Sequence, residues 1–190
     1  SYFGDGATSQ GDVYEALNIA GVFDAQAVFL CQNNQYAIST PRSGQTRADT
    51  LAQKAVAAGI TGLQVDGNDP LGVYRVTREA LERARDGDPT LVEALTYRRS
   101  MHTTSDDPTR YRTAEEEAEW ERKDPIDRLE TYLRSEGVLD EDDAETIEEE
   151  FERDFDAAFE NARSARDELD PADMFRYAFR EIPPVIERQF

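Results

Sequence analysis

The chain has 190 residues, of which 38% are hydrophobic and 33% charged, and its 41 acidic and 21 basic side chains give a net charge of −20. A chain of this length can bury a substantial core in one or two domains, but its acidity argues against nucleic acid and anionic membrane surfaces as partners. No segment of the sequence approaches the roughly 18 apolar residues of a membrane-spanning helix, and the single cysteine, Cys31, excludes an intrachain disulfide and favours a reducing, cytoplasmic compartment.

The first 41 residues predict one strand–helix–strand unit of a parallel sheet. Tyr2 and Phe3 precede a glycine turn as the end of a strand would, and the run 9–12 (SQGD) fits a helix-capping box. Apolar residues then recur at helical spacing up to Ala20. The apolar run 27–31 predicts a short buried strand.

A carboxylate, an amide and a tyrosine fall where these two predicted strands end. Asp5 lies between two glycines, and Asn34 and Tyr36 follow 29 and 31 residues later. In open parallel sheets, ligands bind at the carboxyl ends of the strands. Magnesium prefers hard oxygen ligands and usually shares them with phosphate oxygens. The spacing therefore predicts a magnesium site at Asp5, Asn34 and Tyr36, with room for a diphosphate against the glycine turn.

The strand–helix alternation continues to about residue 97. Residues 51–58 and 69–85 predict helices, and residues 63–65 and 90–97 predict strands. Asp66-Gly67 also follows a strand, but no matching amide comes one unit later. This second Asp-Gly is therefore interpreted as ordinary turn chemistry followed by a helix cap.

Residues 98–112 form a polar segment without periodicity, which predicts a loop long enough to suggest function. It contains His102, the only histidine. The residues alone leave two interpretations open, a structural side chain or a general acid–base catalyst.

From residue 114 onward the sequence is acidic and helical, with 24 acidic and 7 basic side chains in residues 114–170. Arginine supplies 19 of the 21 basic residues of the chain. A solvated acidic shell with two lysines predicts a protein adapted to concentrated salt; a cation-binding or docking surface is the alternative. A stripe of Ile147, Phe151, Phe155 and Phe159 predicts a core or subunit face. Asp170-Pro171 predicts the start of a last helix through Phe179.

The run GDGATSQGDVYEALNIAGVFDAQAVFLCQNNQYAISTP closely resembles the alpha subunit of the decarboxylating component of 2-oxo acid dehydrogenase complexes, the family of the pyruvate and branched-chain enzymes. The likeness continues through VDGNDPLGVY, TYRRSMHTTSDDPTRYR, KDPIDRL and EIPPVIERQF, and so covers essentially the whole chain. It implies an α/β thiamine diphosphate-binding fold, with a parallel sheet flanked by helices in residues 1–113 and an acidic helical extension packed on it in residues 114–190.

The resemblance also implies roles for individual residues. The side chains of Asp5 and Asn34 and the carbonyl of Tyr36 are expected to bind Mg²⁺, and the backbone of Gly6 and Ala7 to lie against the diphosphate. His102 is expected to assist acyl transfer to the lipoyl carrier. Further expectations concern two other positions: Arg98 would order the loop with Asp106 as a partner, and Thr103 stands where some relatives carry a regulatory phosphoserine.

The implied activity is oxidative decarboxylation of a 2-oxo acid, pyruvate by default, with acyl transfer to lipoamide. Acetoin or a branched-chain 2-oxo acid is the alternative substrate. The implied cofactors are thiamine diphosphate and Mg²⁺, and the implied partners are a beta subunit, in a heterotetramer, and a lipoyl-bearing acyltransferase core. The resemblance implies that the sequence corresponds to the carboxy-terminal half of such a subunit. An isolated chain would hold half a cofactor site, so an inactive or structural half-subunit is a further alternative.

Overall fold

A computed structural model describes residues 1–189, which divide into two compact units: 1–135, and a second that begins at Glu136. The domain boundary expected between residues 113 and 114 stays a prediction. The six strands of the described chain are β1 (Tyr2–Gly4), β2 (Val28–Asn33), β3 (Tyr36–Ala37), β4 (Thr40–Pro41), β5 (Thr61–Asp66) and β6 (Thr90–Leu95).

Nine α-helices lie in residues 1–189, and several are a single turn long. They are α1 (Gly11–Val22), α2 (Arg42–Gln45), α3 (Lys54–Ala57), α4 (Pro70–Arg85), α5 (Ala114–Glu121), α6 (Pro125–Ser135), α7 (Glu141–Ala165), α8 (Asp173–Arg176) and α9 (Pro184–Glu187). Short 3-10 turns occupy Asp5–Ser9, Pro108–Arg110 and Arg166–Glu168. None of the helices described is both long enough and apolar enough to cross a lipid bilayer.

Four strands form one parallel sheet in the order β1-β2-β6-β5, which confirms the predicted α/β class. Residues of β6 pair with β2 on one side and β5 on the other, so the strand is central and its apolar run is buried. In parallel sheets the central strands read as continuous apolar runs for this reason. The carboxyl ends of all four strands lie at the same edge of the sheet.

The core lies between the sheet and the helices that connect its strands. Its buried members are Leu17, Cys31, Leu51, Ala55, Ile60 and Leu91. Burial raises the pKa of the Cys31 thiol to about 12, and the nearby Glu93 and Asp5 carboxylates add to the rise. A thiol held protonated at neutral pH is a poor nucleophile, which supports the interpretation of Cys31 as a core residue.

The long helix of the first unit begins as predicted. The Asp69 side chain accepts hydrogen bonds from Leu71 N and Gly72 N, both at 3.1 Å, and Pro70 occupies the first turn of α4. This is the arrangement that N-caps and helix-opening prolines favour. Asp66 Oδ1 accepts Asn68 N at 2.9 Å, so the second Asp-Gly sequence serves a turn, as interpreted from the sequence.

Three local predictions were wrong. The capping box in residues 9–12 is absent, because Ser9 ends the 3-10 turn and Gln10 becomes the N-cap of α1 without a side-chain cap. The helix predicted over 51–58 is helical only at Lys54–Ala57. The last predicted helix is limited to the four residues of α8.

The second unit consists of helices and contains no buried residue from 136 to 189. Asp140 and Asp143 form a reciprocal capping box at the start of α7. The apolar stripe of α7 is exposed, and its three phenylalanines stack along the helix with ring centroids 6.0 and 6.2 Å apart. The expectation that this stripe is a core face is not met within the described chain, whereas a subunit face stays a prediction.

Candidate cofactor and metal site

The predicted site residues of the first 41 positions come together at the carboxyl edge of the sheet. Gly4 of β1 pairs with Gln32 of β2, so Asp5, which follows β1, lies next to Asn33 at the end of β2. The 3-10 turn that begins at Asp5 contacts β3, the strand that begins at Tyr36. The sheet therefore brings the two halves of the predicted magnesium site to one edge.

Asp5 is fully buried, and only one of its two carboxylate oxygens accepts a hydrogen bond in the described chain. Its Oδ2 accepts a hydrogen bond from Gln45 Nε2 at 2.6 Å, while Oδ1 has no hydrogen-bond partner in the described chain. A buried carboxylate oxygen without a donor is costly. A bound cation would satisfy Oδ1, so the environment of Asp5 fits a metal ligand.

The glycine after Asp5 is required by close packing. A Cβ placed on Gly6 would lie 2.6 Å from Ala37 Cβ, which is closer than two carbons can approach. The β3–β4 hairpin thus packs directly against the backbone at Gly6. Ala7 belongs to the same 3-10 turn, and its carbonyl accepts Gln10 N at 2.9 Å.

The other two predicted ligands share one tight turn between β2 and β3. Asn34 Oδ1 accepts a hydrogen bond from Tyr36 N at 3.3 Å, and Gln35 between them has a φ of +75°. The Tyr36 carbonyl accepts from Arg98 Nη1 at 3.3 Å. Each of these oxygens has a second lone pair available. The turn can therefore present an amide oxygen and a carbonyl oxygen together.

The donor set is one carboxylate, one amide and one carbonyl, all hard oxygen ligands of the kind that suits Mg²⁺. Within residues 1–189 there is no cluster of three or more His, Cys, Asp or Glu side chains that could hold a metal. A transition-metal site built from such side chains is therefore not part of the described chain.

Arg98 links this turn to the loop that carries His102. Its Nη2 donates to Ile38 O at 2.6 Å and to Tyr111 Oη at 2.9 Å, and its Nη1 lies 3.4 Å from His102 Nδ1. A guanidinium can only donate. His102 Nδ1 must then accept in this contact, which places the proton of the neutral imidazole ring on Nε2.

Asp106 holds the His102 backbone from the other side. Its Oδ2 accepts His102 N at 2.8 Å and Tyr111 Oη at 2.6 Å. The hydrogen bond from the Tyr111 hydroxyl, followed by the one from the His102 amide, lowers the pKa of the Asp106 carboxyl. The expected partnership between Arg98 and Asp106 is indirect, because Tyr111 bridges them.

Several residues at the base of this loop were missed from the sequence. The buried Arg112 side chain donates to the carbonyls of Arg98 and Arg99 and pairs with Glu117 Oε1 at 2.8 Å. Tyr97 stacks on Trp120 of α5, with ring centroids 5.3 Å apart. A cleft of about 510 Å³ lies beside the loop, lined by residues 38–39, 105–107 and 110–111. No local sequence signal identifies Arg112 as the residue that closes the loop, because its carbonyl partners are backbone groups 14 and 13 residues away.

Comparison with known proteins identifies the family. The sequence model of the family described as "Dehydrogenase E1 component" matches residues 1–170. Proteins called pyruvate dehydrogenase E1 component subunit alpha in Staphylococcus aureus strain Mu50 and in Staphylococcus epidermidis strain RP62A are each 47% identical to the chain over 192 aligned residues. The alignments cover 100% of this chain and 52% of each relative, so the chain spans about half the length of these curated relatives. The chain belongs to the dehydrogenase E1 component family.

Proposed function

We propose that the chain forms part of the alpha subunit of a pyruvate dehydrogenase E1 component and contributes the magnesium and diphosphate side of its thiamine diphosphate site. The observation that carries this proposal is the buried Asp5 carboxylate, whose unpartnered Oδ1 lies at the sheet edge next to the turn that bears Asn34 and Tyr36. The names of the relatives support pyruvate as the substrate.

In this proposal Asp5, Asn34 and the Tyr36 carbonyl hold Mg²⁺, and the backbone of Gly6 and Ala7 receives the diphosphate. The close approach of Ala37 requires a residue without a side chain at position 6, and the backbone of a glycine can be approached closely by a phosphate. When bound, thiamine diphosphate supplies the nucleophilic carbon and the electron sink for loss of carbon dioxide.

His102 would manage the proton during transfer of the acyl group to a lipoyl carrier. The contact between Arg98 and Nδ1 supports this role, because it leaves Nε2 as the proton donor of the neutral ring. The carbonyls and the hydroxyl that accept hydrogen bonds from Arg98 would keep the His102 imidazole near the turn that bears Asn34 and Tyr36. The partners proposed for the subunit are a beta subunit and a lipoyl-bearing acyltransferase core, in a cytoplasmic complex.

The test is Asp5→Ala in the full subunit assembled with its beta subunit, with thiamine diphosphate binding titrated against Mg²⁺ by calorimetry. Loss of the only carboxylate ligand should raise the Mg²⁺ concentration needed for half-maximal binding by about 100-fold or more, since even residues that only orient ligands cost about 10- to 100-fold. The exposed Asp86→Ala variant, which removes the same charge, should leave binding unchanged. Unchanged Mg²⁺-dependent binding in Asp5→Ala overturns the assignment.

A further inference from the structure

A charged side chain lies at the centre of the sheet. Glu93 occupies the middle of β6, is 1% exposed, and pairs in register with Cys31 of β2 and Gln64 of β5. The proposed metal and proton chemistry does not use it. Burial of a carboxylate is costly unless hydrogen bonds compensate it, so its partners indicate what the residue is for.

Three donors converge on the Glu93 carboxylate. Oε1 accepts Asn33 Nδ2 at 2.7 Å, while Oε2 accepts the Ala52 backbone N at 3.0 Å and Gln64 Nε2 at 3.1 Å. Each partner atom can only donate. Both oxygens must therefore accept, which a carboxylate can do and a carboxamide in the same place cannot.

The shortest of these bonds fixes the orientation of the Asn33 amide. Asn33 is 2% exposed and ends β2, one residue before the predicted ligand Asn34. With Nδ2 directed to Glu93, Asn33 Oδ1 accepts Gln35 N at 3.3 Å and Gln35 Nε2 at 3.1 Å. A flip of the amide would present donors to donors at Gln35.

Gln35 is the central residue of the turn that bears the proposed ligands Asn34 and Tyr36. Its positive φ of +75° is unfavourable for a residue with a side chain, and the two hydrogen bonds that it donates to Asn33 Oδ1 hold it there. Gln35 lies between Asn34 and Tyr36, so its conformation sets where the amide and carbonyl oxygens of those two residues fall.

We propose that Glu93 is a positioning residue for the magnesium site: it orients the Asn33 amide, and through that amide it holds the turn that presents Asn34 Oδ1 and the Tyr36 carbonyl. Glu93 itself contacts neither of these ligand atoms. The inference rests on the proposed function, because it assigns a role in binding the metal of that site.

The decisive variant is Glu93→Gln, which keeps the shape of the side chain. The new amide must direct an N–H either at Asn33 Nδ2 or at Ala52 N and Gln64 Nε2. In the first case the Asn33 amide flips and loses its hydrogen bonds with Gln35. In the second case the N–H groups of Ala52 and Gln64 both face the N–H group of the new amide. Asn33→Asp added to Glu93→Gln restores the match. One oxygen of the carboxylate introduced by Asn33→Asp accepts from the new amide, while its other oxygen still accepts from Gln35.

The experiment measures, in the assembled holoenzyme, the Mg²⁺ concentration for half-maximal thiamine diphosphate binding and the melting temperature of each variant. We expect Glu93→Gln to raise that concentration about 10- to 100-fold, the range found when a residue that orients a metal ligand is changed. The double variant should return it to within about threefold of the unaltered protein. The exposed Glu82→Gln variant on α4 is the matched charge control and should change neither quantity.

A purely structural Glu93 would lower the melting temperature and leave the Mg²⁺ affinity of the folded enzyme unchanged, and that result overturns the proposal. A double variant no better than Glu93→Gln also overturns it, even where the single variant fails to assemble. If the unaltered enzyme binds thiamine diphosphate without Mg²⁺, the proposed function itself has failed, which is distinguishable from failure at Glu93.

Discussion

The two units of the chain bury their side chains to very different extents. The first holds apolar residues such as Leu17 and Val92 and charged ones such as Asp5 and Glu93 at 1% exposure or less. The second, described from 136 to 189, has no buried residue, and Phe155 on its long helix is 56% exposed. It carries 19 acidic and 6 basic side chains.

The difference shows what periodicity does and does not predict. Helical spacing correctly indicated an apolar stripe on α7, but spacing alone carries no information about what covers a stripe. In the sheet, by contrast, the apolar runs of β2 and β6 pair with each other, so the same sequence signal also identified the core. The burial of an apolar segment was predictable where the described chain also supplies the segment that packs against it.

The strongest test of this contrast removes a large apolar side chain from each unit. Leu17→Ala should lower the free energy of unfolding by about 2–5 kcal/mol, because it opens a cavity in a packed core. Phe155→Ala should change it by no more than about 0.5 kcal/mol, as for other exposed positions. Chemical denaturation of the full subunit in the absence of its partner subunits provides both free energies of unfolding. A loss of several kcal/mol for Phe155→Ala would show that the α7 stripe is covered, and the contrast would fail.

A second test uses two glycines of the first unit. Gly6→Ala places a methyl group 2.6 Å from Ala37 Cβ, so we expect a loss of about 1–3 kcal/mol from overpacking, together with weaker Mg²⁺-dependent thiamine diphosphate binding. Gly11→Ala meets nothing within 4 Å in the first turn of α1, so it should be neutral or stabilise by up to about 1 kcal/mol. Denaturation and calorimetry of the two variants check this. Equal behaviour of the two would mean that the β3–β4 hairpin does not press on the 3-10 turn that begins at Asp5.

The smallest expected effect concerns salt. The acidic side chains of the second unit repel one another, and this repulsion is screened over about 30 Å at 0.01 M salt but about 3 Å at 1 M. Thermal unfolding followed by helical circular dichroism should therefore begin at a higher temperature in multimolar potassium chloride than in 0.01 M. The Cys31-containing core, whose packing is apolar, should gain less. The same onset in both salts would contradict adaptation to concentrated salt.

The sequence predicted the parallel sheet, and the place of Asp5, Asn34 and Tyr36 at its carboxyl edge, because both follow from local signals. The Asp69-Pro70 cap and the apolar runs of β2 and β6 are readable from a few neighbouring residues. The β3–β4 hairpin was missed because each of its strands is two residues long. The false capping box at 9–12 arose because the 3-10 turn continues through Ser9 and displaces the helix start.

Two buried charged residues near the candidate site were harder to predict because their partners are distant in sequence. Glu93 lies 60 residues from Asn33 and 41 from Ala52. The only local sign of its role is a carboxylate in the middle of an apolar strand. Arg112 is similar, since its buried guanidinium joins carbonyls 13 and 14 residues away.

The Arg112 guanidinium has a consequence for how this region can vary. Because it ties together the two ends of the segment between Arg98 and Arg112, the span is already closed at its base, and further length adds little to the entropy cost of closing it. Insertions near Thr104 would lie between fixed anchors and leave the positions of β6 and α5 unchanged, but they would separate His102 from the Asp106 carboxylate that accepts its backbone N–H. A change of length in this segment would thus alter the contacts of His102 and spare the sheet beneath.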